Sequence, residues 1–291
     1  MKVTNKGIKY SKLQINFEDS RQEDNAEHES NAGVYASLKI TENNITNGLV
    51  ASDRLLEKIM DKENVRVALK RVISNKGSHG IDGMKVDELR AYLNDNWVTL
   101  KQSVMDGTFR PNPARRVEIL KEDGIKKRKL GIPTTVDRVI QQAISQILSP
   151  IYEEQFSDNS YGFRPGRSAH QAIRKCQGYI QESYIYAVDM DLEKYFDTIN
   201  HSKLIEILSR TIKDGRVISL IHKYLRAGVV IGYSYEETIE GVMQGGPLSP
   251  LFGNVMLNEL DKVLEQRGLR FARYADDRAP RRRVQATQRV A

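Results

Sequence analysis

Two short acidic stretches carry the residues best suited to chemistry. The first, AVDMDLEKYFD, holds Asp189, Asp191, Glu193 and Asp197, and the second, YADD, ends in Asp276 and Asp277. Each follows an apolar, β-rich run, YIYAVDM in one case and LRFARYA in the other. Alternate residues of a strand share a face, so Asp189 and Asp191 point the same way. A turn directly after Ala275 would hold Asp276 and Asp277 beside a neighbouring strand. Hard cations such as Mg²⁺ take oxygen ligands, commonly one or two carboxylates completed by phosphate and water. Two such ions roughly 3.5–4 Å apart can clamp an attacking 3′-oxygen and a leaving pyrophosphate. That arrangement needs about three carboxylates converging from separate strands, and this chain can offer them. Either stretch alone is commonly a turn or a cap. Two of them, each ending an apolar strand, point to a metal site.

A phosphate-handling site also needs cations. The chain of 291 residues has a formal net charge of +7 and a pI of about 9.3, which suggests an anionic partner. The charge is concentrated. Arg110 to Lys129, RPNPARRVEILKEDGIKKRK, holds eight basic residues against three acids, and Arg278 to Ala291 holds five arginines and no acid. The composition excludes other classes. One cysteine, Cys176, leaves no disulfide and no cysteine-based zinc site, which fits a reducing, cytoplasmic setting. No apolar run reaches the ~18 residues of a membrane span, and the N-terminus lacks the apolar core of a secretory signal.

The elements that must position these residues follow from periodicity. Residues 1–53 are polar and mixed and are expected to be disordered or loosely attached. The ordered part starts near residue 54 with two helices broken near Asp61–Glu63, followed by the Gly-rich GSHGIDG loop and another helix. RRVEIL and the stretch after it predict a hairpin turning at Asp123–Gly124. TVDRVIQQAISQILSPIYEEQF predicts an amphipathic helix that Pro150 breaks. Ser168 and Gln171 predict a capping box. Two helices, two short strands in VVIGYSYEETIEGV, and a long helix closed by Gly268 complete the pattern. Strands alternating with helices and hairpins predict an α+β fold, an antiparallel sheet with packed helices.

At this point the residues resemble a family. YADD after an apolar strand resembles the metal-binding hairpin of reverse transcriptases, VDMDLEKYFD their first carboxylate strand, and QGGPLSPLFGNVMLNELD the loop and helix between. NKGSHGIDGM, RPNPARRVEI, RKLGIPTTVDRVIQQAI and YEEQFSDNSYGFRPGRSAHQAI resemble the fingers and upper palm of bacterial group II intron reverse transcriptases, the intron-encoded maturases. The likeness runs from about residue 54 to Asp277. It implies a right-hand polymerase, with fingers over 54–160 and a partial palm over 161–277. It implies an RNA-directed DNA polymerase that uses two Mg²⁺ ions on Asp191, Asp276 and Asp277 to join dNTPs to a primer 3′-end. Phe196, five residues past Asp191, falls where the family places the ring that excludes a ribose 2′-hydroxyl. Gln244 and Gly245 match the segment lining the nascent base pair, and Lys121 and Arg128 the residues that hold the triphosphate. Arg115, Arg116, Lys126 and Lys127 are expected on template phosphates. Arg164 and Arg167 either contact template or cap nearby carbonyls. The implied partners are RNA template and intron RNA, a DNA primer or target, and dNTP, with no membrane and no indication of oligomeric state.

The likeness stops after Asp277. The family continues with an apolar strand, whereas this chain reads RAPRRRVQATQRVA. Pro280 lacks an amide donor and Arg281–Arg283 cannot face a core. Residues 278–291 are therefore expected to be a basic, out-of-family tail, from a frameshift or early end, that leaves the YADD strand without its partner and the thumb absent. The alternative function is a catalytically inactive remnant that at most binds intron RNA.

Overall fold

The computed structural model describes residues 54–120, 127–184, 186–190, 192, 194–275 and 284–288. Helix α1 (Leu55–Ile59) and α2 (Lys62–Ser74) meet at Asp61, whose side chain accepts the Glu63 N–H. The expected break is thus an N-cap. Helix α2 buries Val65, Ala68, Leu69 and Val72, one stripe at helical spacing. After the Gly-rich loop comes α3 (Leu89–Met105). Helix α4 (Thr135–Glu153) packs along α2 and is buried over most of its length.

Pro150 does not break α4, contrary to the sequence expectation. Proline forfeits one helical hydrogen bond and crowds the preceding turn. Here the following turn buries Ile151 and Tyr152, and the Tyr152 hydroxyl donates to the Leu208 carbonyl at 3.2 Å. Burial of two large side chains offsets the lost bond. Helix α5 (Ala169–Gln181) opens on the expected capping box of Ser168 and Gln171. Helices α6 (His201–Thr211), α7 (Gly215–Leu225) and α8 (Ser249–Gln266) follow. Gly268, at φ +67°, closes α8 in the left-handed conformation that glycine adopts without a Cβ penalty.

The strands form two sheets. Strands β1 (Ala114–Leu120) and β2 (Lys127–Ile132) are the arms of the expected basic hairpin, paired antiparallel from Arg115–Ile132 to Leu120–Lys127. The turn at Asp123–Gly124 lies outside the described residues. Strand β3 (Tyr186–Met190) leads toward the first carboxylate stretch. Strands β4 (Val229–Ile231) and β5 (Ser234–Glu236) extend the first sheet in the order β2-β1-β4-β5, with β4 parallel to β1. Strands β6 (Arg270–Ala272) and β7 (Val284–Gln288) complete the second, in the order β3-β7-β6.

Strand β7 overturns an expectation. The residues after Asp277 were expected to leave the YADD strand unpaired, yet Val284–Gln288 pairs antiparallel with both β6 and β3. The physical reason is that a ladder is made by backbone groups. Val284–Gln288 holds no proline and no charge, so every one of its amides can donate. With this strand seated, β6 has a ladder partner, and so has β3.

One continuous cluster of buried side chains runs from Leu55 to Leu257, across residue 160, so the fingers and palm segments share a core. The parallel pairing of β4 with β1 joins them a second time.

Candidate active site

The geometry of the second sheet sets where its strands deliver their ends. Both β3 and β6 run antiparallel to β7, so they run parallel to each other. Met190 lies opposite Val284 and Ala272 opposite Gln285. The C-terminal ends of β3 and β6 therefore reach the same edge of the sheet, the edge at which β7 begins. Asp191 follows Met190 directly, and Asp276 follows the strand end by four residues. Asp191, Asp276 and Asp277 themselves lie outside the described residues, as do Lys121 and Lys126. Among the described residues no group of three or more His, Cys, Asp or Glu side chains could hold a metal ion. Three carboxylates that follow the ends of the two strands flanking β7 have the hard-oxygen donor chemistry of a Mg²⁺-type cation.

Behind that edge, Phe196, Gln244 and the basic hairpin are tied together. Phe196 sits in the short 3₁₀ turn Tyr195–Thr198 and is 7% exposed. Its ring meets Tyr195 edge-on at 5.3 Å and lies against α8, where a Cβ on Gly253 would come within 3.0 Å of it. The Tyr195 hydroxyl donates to the Gly253 carbonyl at 2.7 Å. The Phe196 carbonyl accepts the Val242 N–H at 2.6 Å, two residues before Gln244. The Gln244 carbonyl in turn accepts the Gly131 N–H of β2 at 2.8 Å. Gly245, at φ +114°, lies on the Gly131 carbonyl, and a Cβ there would stand 2.7 Å from that oxygen. Glycine is required twice over, by the dihedral and by the contact. One chain of backbone bonds thus runs from the turn after Asp191, through the Gln244–Gly245 loop, to the hairpin.

The basic residues divide. Arg128 pairs through its backbone with Ile119, one residue from the last pair before the hairpin turn, Leu120–Lys127. Lys127 is exposed and bridges Glu118 at 2.9 Å. Arg115 donates to the His79 carbonyl at 2.8 Å and to the Ser78 hydroxyl at 2.8 Å, pinning the Gly-rich loop to β1. Arg116 keeps a buried Nε with no hydrogen-bond partner among the described residues. Arg167 pairs with Asp158 at 2.7 Å and stacks over Tyr161 at 5.6 Å.

Arg164 corrects the expectation of nucleic-acid contact. Its side chain is 3% exposed, forks onto Glu153, and donates to the carbonyls of Ser157 and Ser160 at 2.5 and 2.8 Å. It is the carbonyl cap of the two alternatives, because a guanidinium buried to this extent, with four of its five N–H donors directed into the fold, is not presented to a phosphate.

The largest feature that sequence reasoning missed lies beneath the YADD turn. Arg273 is 0% exposed, and its guanidinium meets Asp261 of α8, Asn254 of α8, Ser160 and the Ala275 carbonyl. Gly162 closes over the same turn, so near that a Cβ would stand 2.1 Å from the Ala275 nitrogen. A signal was present. Asn254, Asn258 and Asp261 recur at helical spacing on the face of α8 that also carries Leu251 and Leu257, and all three are buried. Polar residues at core positions demand partners.

One buried carboxyl outside this region is electrostatically perturbed. Asp137, in the first turn of α4, has its pKa pushed up to about 6 by burial. Hydrogen bonds from Thr134, Asn112 and Tyr224 oppose the shift without cancelling it. The same burial, with the Asp137 charge beside it, raises the Tyr224 hydroxyl well above its usual range.

Comparison with known proteins agrees with this geometry. Residues 119–279 match the family profile "Reverse transcriptase (RNA-dependent DNA polymerase)". The chain is 39% identical over 222 residues to Protein YkfC of Escherichia coli (strain K12), covering 74% of this chain and 58% of that protein. It is 38% identical over 225 residues to the group II intron-encoded protein LtrA of Lactococcus lactis subsp. cremoris, covering 77% of this chain and 37% of that protein. This chain therefore spans less than two thirds of either relative. Among solved structures, a chain of a partial Cas6-RT-Cas1–Cas2 complex superposes with a TM-score of 0.53 at 21% identity, over 81% of this chain and 38% of that one, a likeness of fold.

Proposed function

Because this chain belongs to the reverse transcriptase family, we propose that it joins deoxynucleotides to a primer 3′-end along an RNA template, as a polymerase module of group II intron type. Asp191, Asp276 and Asp277 would hold two Mg²⁺ ions. When bound, such ions supply Lewis-acid activation of the 3′-oxygen and neutralise charge on the leaving pyrophosphate. The chain's own residues bind and orient. Arg128, at the turn end of the basic hairpin, and Lys121, which follows β1 directly in sequence, take the triphosphate. The Gln244–Gly245 backbone lines the nascent base pair, held in register with the hairpin by its bond to Gly131. Phe196, wedged between Tyr195 and Gly253, is fixed as the wall that rejects a 2′-hydroxyl. Arg115, Arg116, Lys126, Lys127 and Arg167 face template phosphates, and the wider partners are intron RNA and a DNA primer or target.

The observation that supports this reading best is the delivery of two carboxylate-bearing strand ends to one edge of one sheet. The test is primer extension with an RNA template, DNA primer, dNTPs and Mg²⁺. Extension by the unmutated chain and none by Asp191→Asn is the expected result. If folded protein shows no extension yet retains salt-sensitive binding to intron RNA, the RNA-binding remnant replaces this reading.

A further inference from the structure

The guanidinium of Arg273 has five N–H donors, and all five are spent. Nε donates to Asp261 at 2.9 Å, and Nη2 donates to Asp261 at 2.6 Å and to the Ser160 hydroxyl at 2.7 Å. Nη1 donates to Asn254 Oδ1 at 2.9 Å and to the Ala275 carbonyl at 3.3 Å. The Arg273 backbone is held as well, donating to Asn159 and accepting from Tyr161, both at 2.8 Å. Four of the side-chain bonds anchor the arginine to the scaffold. The fifth reaches the turn that leads directly into Asp276 and Asp277.

That turn needs holding. Ala275 stands at φ +56°, a left-handed conformation that crowds the Cβ of any residue but glycine. It is gripped from two sides, by the Arg273 Nη1 bond to its carbonyl and by the Gly162 backbone pressed on its nitrogen. Asn254 links the two grips, since its Nδ2 donates to the Gly162 carbonyl at 2.8 Å while its Oδ1 accepts from Arg273. A buried ion pair is a poor means of stabilising a fold, because desolvation consumes most of its Coulomb gain and an apolar pair often does as well. An apolar pair cannot aim a hydrogen bond at one carbonyl. Nor can a lysine, with three donors on a single nitrogen, reach Asp261, Ser160, Asn254 and Ala275 together.

We propose that Arg273, anchored by Asp261 and Asn254, is a positioning residue that orients the Ala275 turn so that Asp276 and Asp277 can hold divalent cations. The proposal rests on the carboxylate reading above. Asp261 has a second part in it. It cancels the arginine's charge, so that the anchor does not repel a cation bound a few residues away.

Mn²⁺, used alone as the probe, can be titrated by electron paramagnetic resonance on the full chain, beside thermal melting. The double variant Arg273→Met with Asp261→Leu is expected to melt close to the unmutated chain yet bind Mn²⁺ at least tenfold more weakly. Arg273→Lys, which keeps the charge and loses the fork, is expected to weaken Mn²⁺ about as much, and it carries the test should the double variant fail to fold. A folded Arg273→Lys or double variant with Mn²⁺ affinity within twofold of the unmutated chain overturns the proposal. Asp276→Asn separates the two levels of inference. If it leaves Mn²⁺ binding unchanged, the carboxylate reading fails and the positioning role falls with it. If it abolishes binding while Arg273→Lys does not, only the positioning role is lost.

Discussion

The α2–α4 core and the ground beneath the YADD turn are built on opposite principles. Between α2 and α4 the buried apolar side chains include Val65, Ala68, Leu69, Ile140, Ala143 and Ile144, with no fixed direction to their attraction. Beneath the turn the buried groups are Arg273, Asp261, Asn254 and Ser160, with every bond aimed. The apolar cluster that accompanies them is small, Tyr161, Ala172 and Ala272. Apolar packing tolerates exchange among residues of similar volume, whereas a polar network fails when one partner is lost. The fold therefore spends directional bonds where a geometry must be held and apolar area where volume is enough.

The largest effect should come from the polar side. Asp261→Ala strips the partner from a fully buried arginine and should cost about 3–5 kcal/mol in urea denaturation. A loss under ~1 kcal/mol would erase the contrast. The second effect tests a polar group set inside the apolar half. The folded pKa of Asp137, about 6, lies above its ordinary 3.8. The folded chain therefore keeps a proton that the unfolded chain releases. The resulting stabilisation is complete below the unfolded value and is lost as pH rises through about 6. A shift of roughly two units corresponds to about 3 kcal/mol. Asp137→Asn should flatten the pH dependence of stability between about pH 4 and 7 by that amount, and equal slopes for the two proteins would refute it. The smallest effect belongs to the apolar side. Ile144→Val, deep in the core, should cost only about 1 kcal/mol and leave primer extension intact.

Much of this was legible beforehand, and what was legible shares a character. The helix break near Asp61–Glu63, the capping box of Ser168 and Gln171, the hairpin arms about Asp123–Gly124 and the Gly268 helix stop all depend on contacts within a few residues of chain. The α+β class follows from their order. The family was readable too, because its motifs are runs of adjacent residues. The misreadings are equally consistent. The local cost of Pro150 shows in the sequence, whereas the burial of Ile151 and Tyr152 that offsets it does not. Val284–Gln288 was judged by the arginines before it, while the ladder asked only for free backbone groups. For Arg164 the sequence allows template or carbonyls, since nothing local says that Glu153, Ser157 and Ser160 surround it.

The sequence by itself thus determined the elements, their order, the carboxylates and the basic hairpin, because periodicity, caps and motifs act over short stretches of chain. Only the tertiary structure decided that β7 lies between β3 and β6, that Gly131 binds the Gln244 loop, and that Arg273 reaches Asp261, Asn254 and Ser160. Those partners are 12, 19 and 113 residues away from Arg273. A buried charge has no preferred partner until the chain has closed around it, and the low dielectric of that closed interior is what then makes the choice of partner binding.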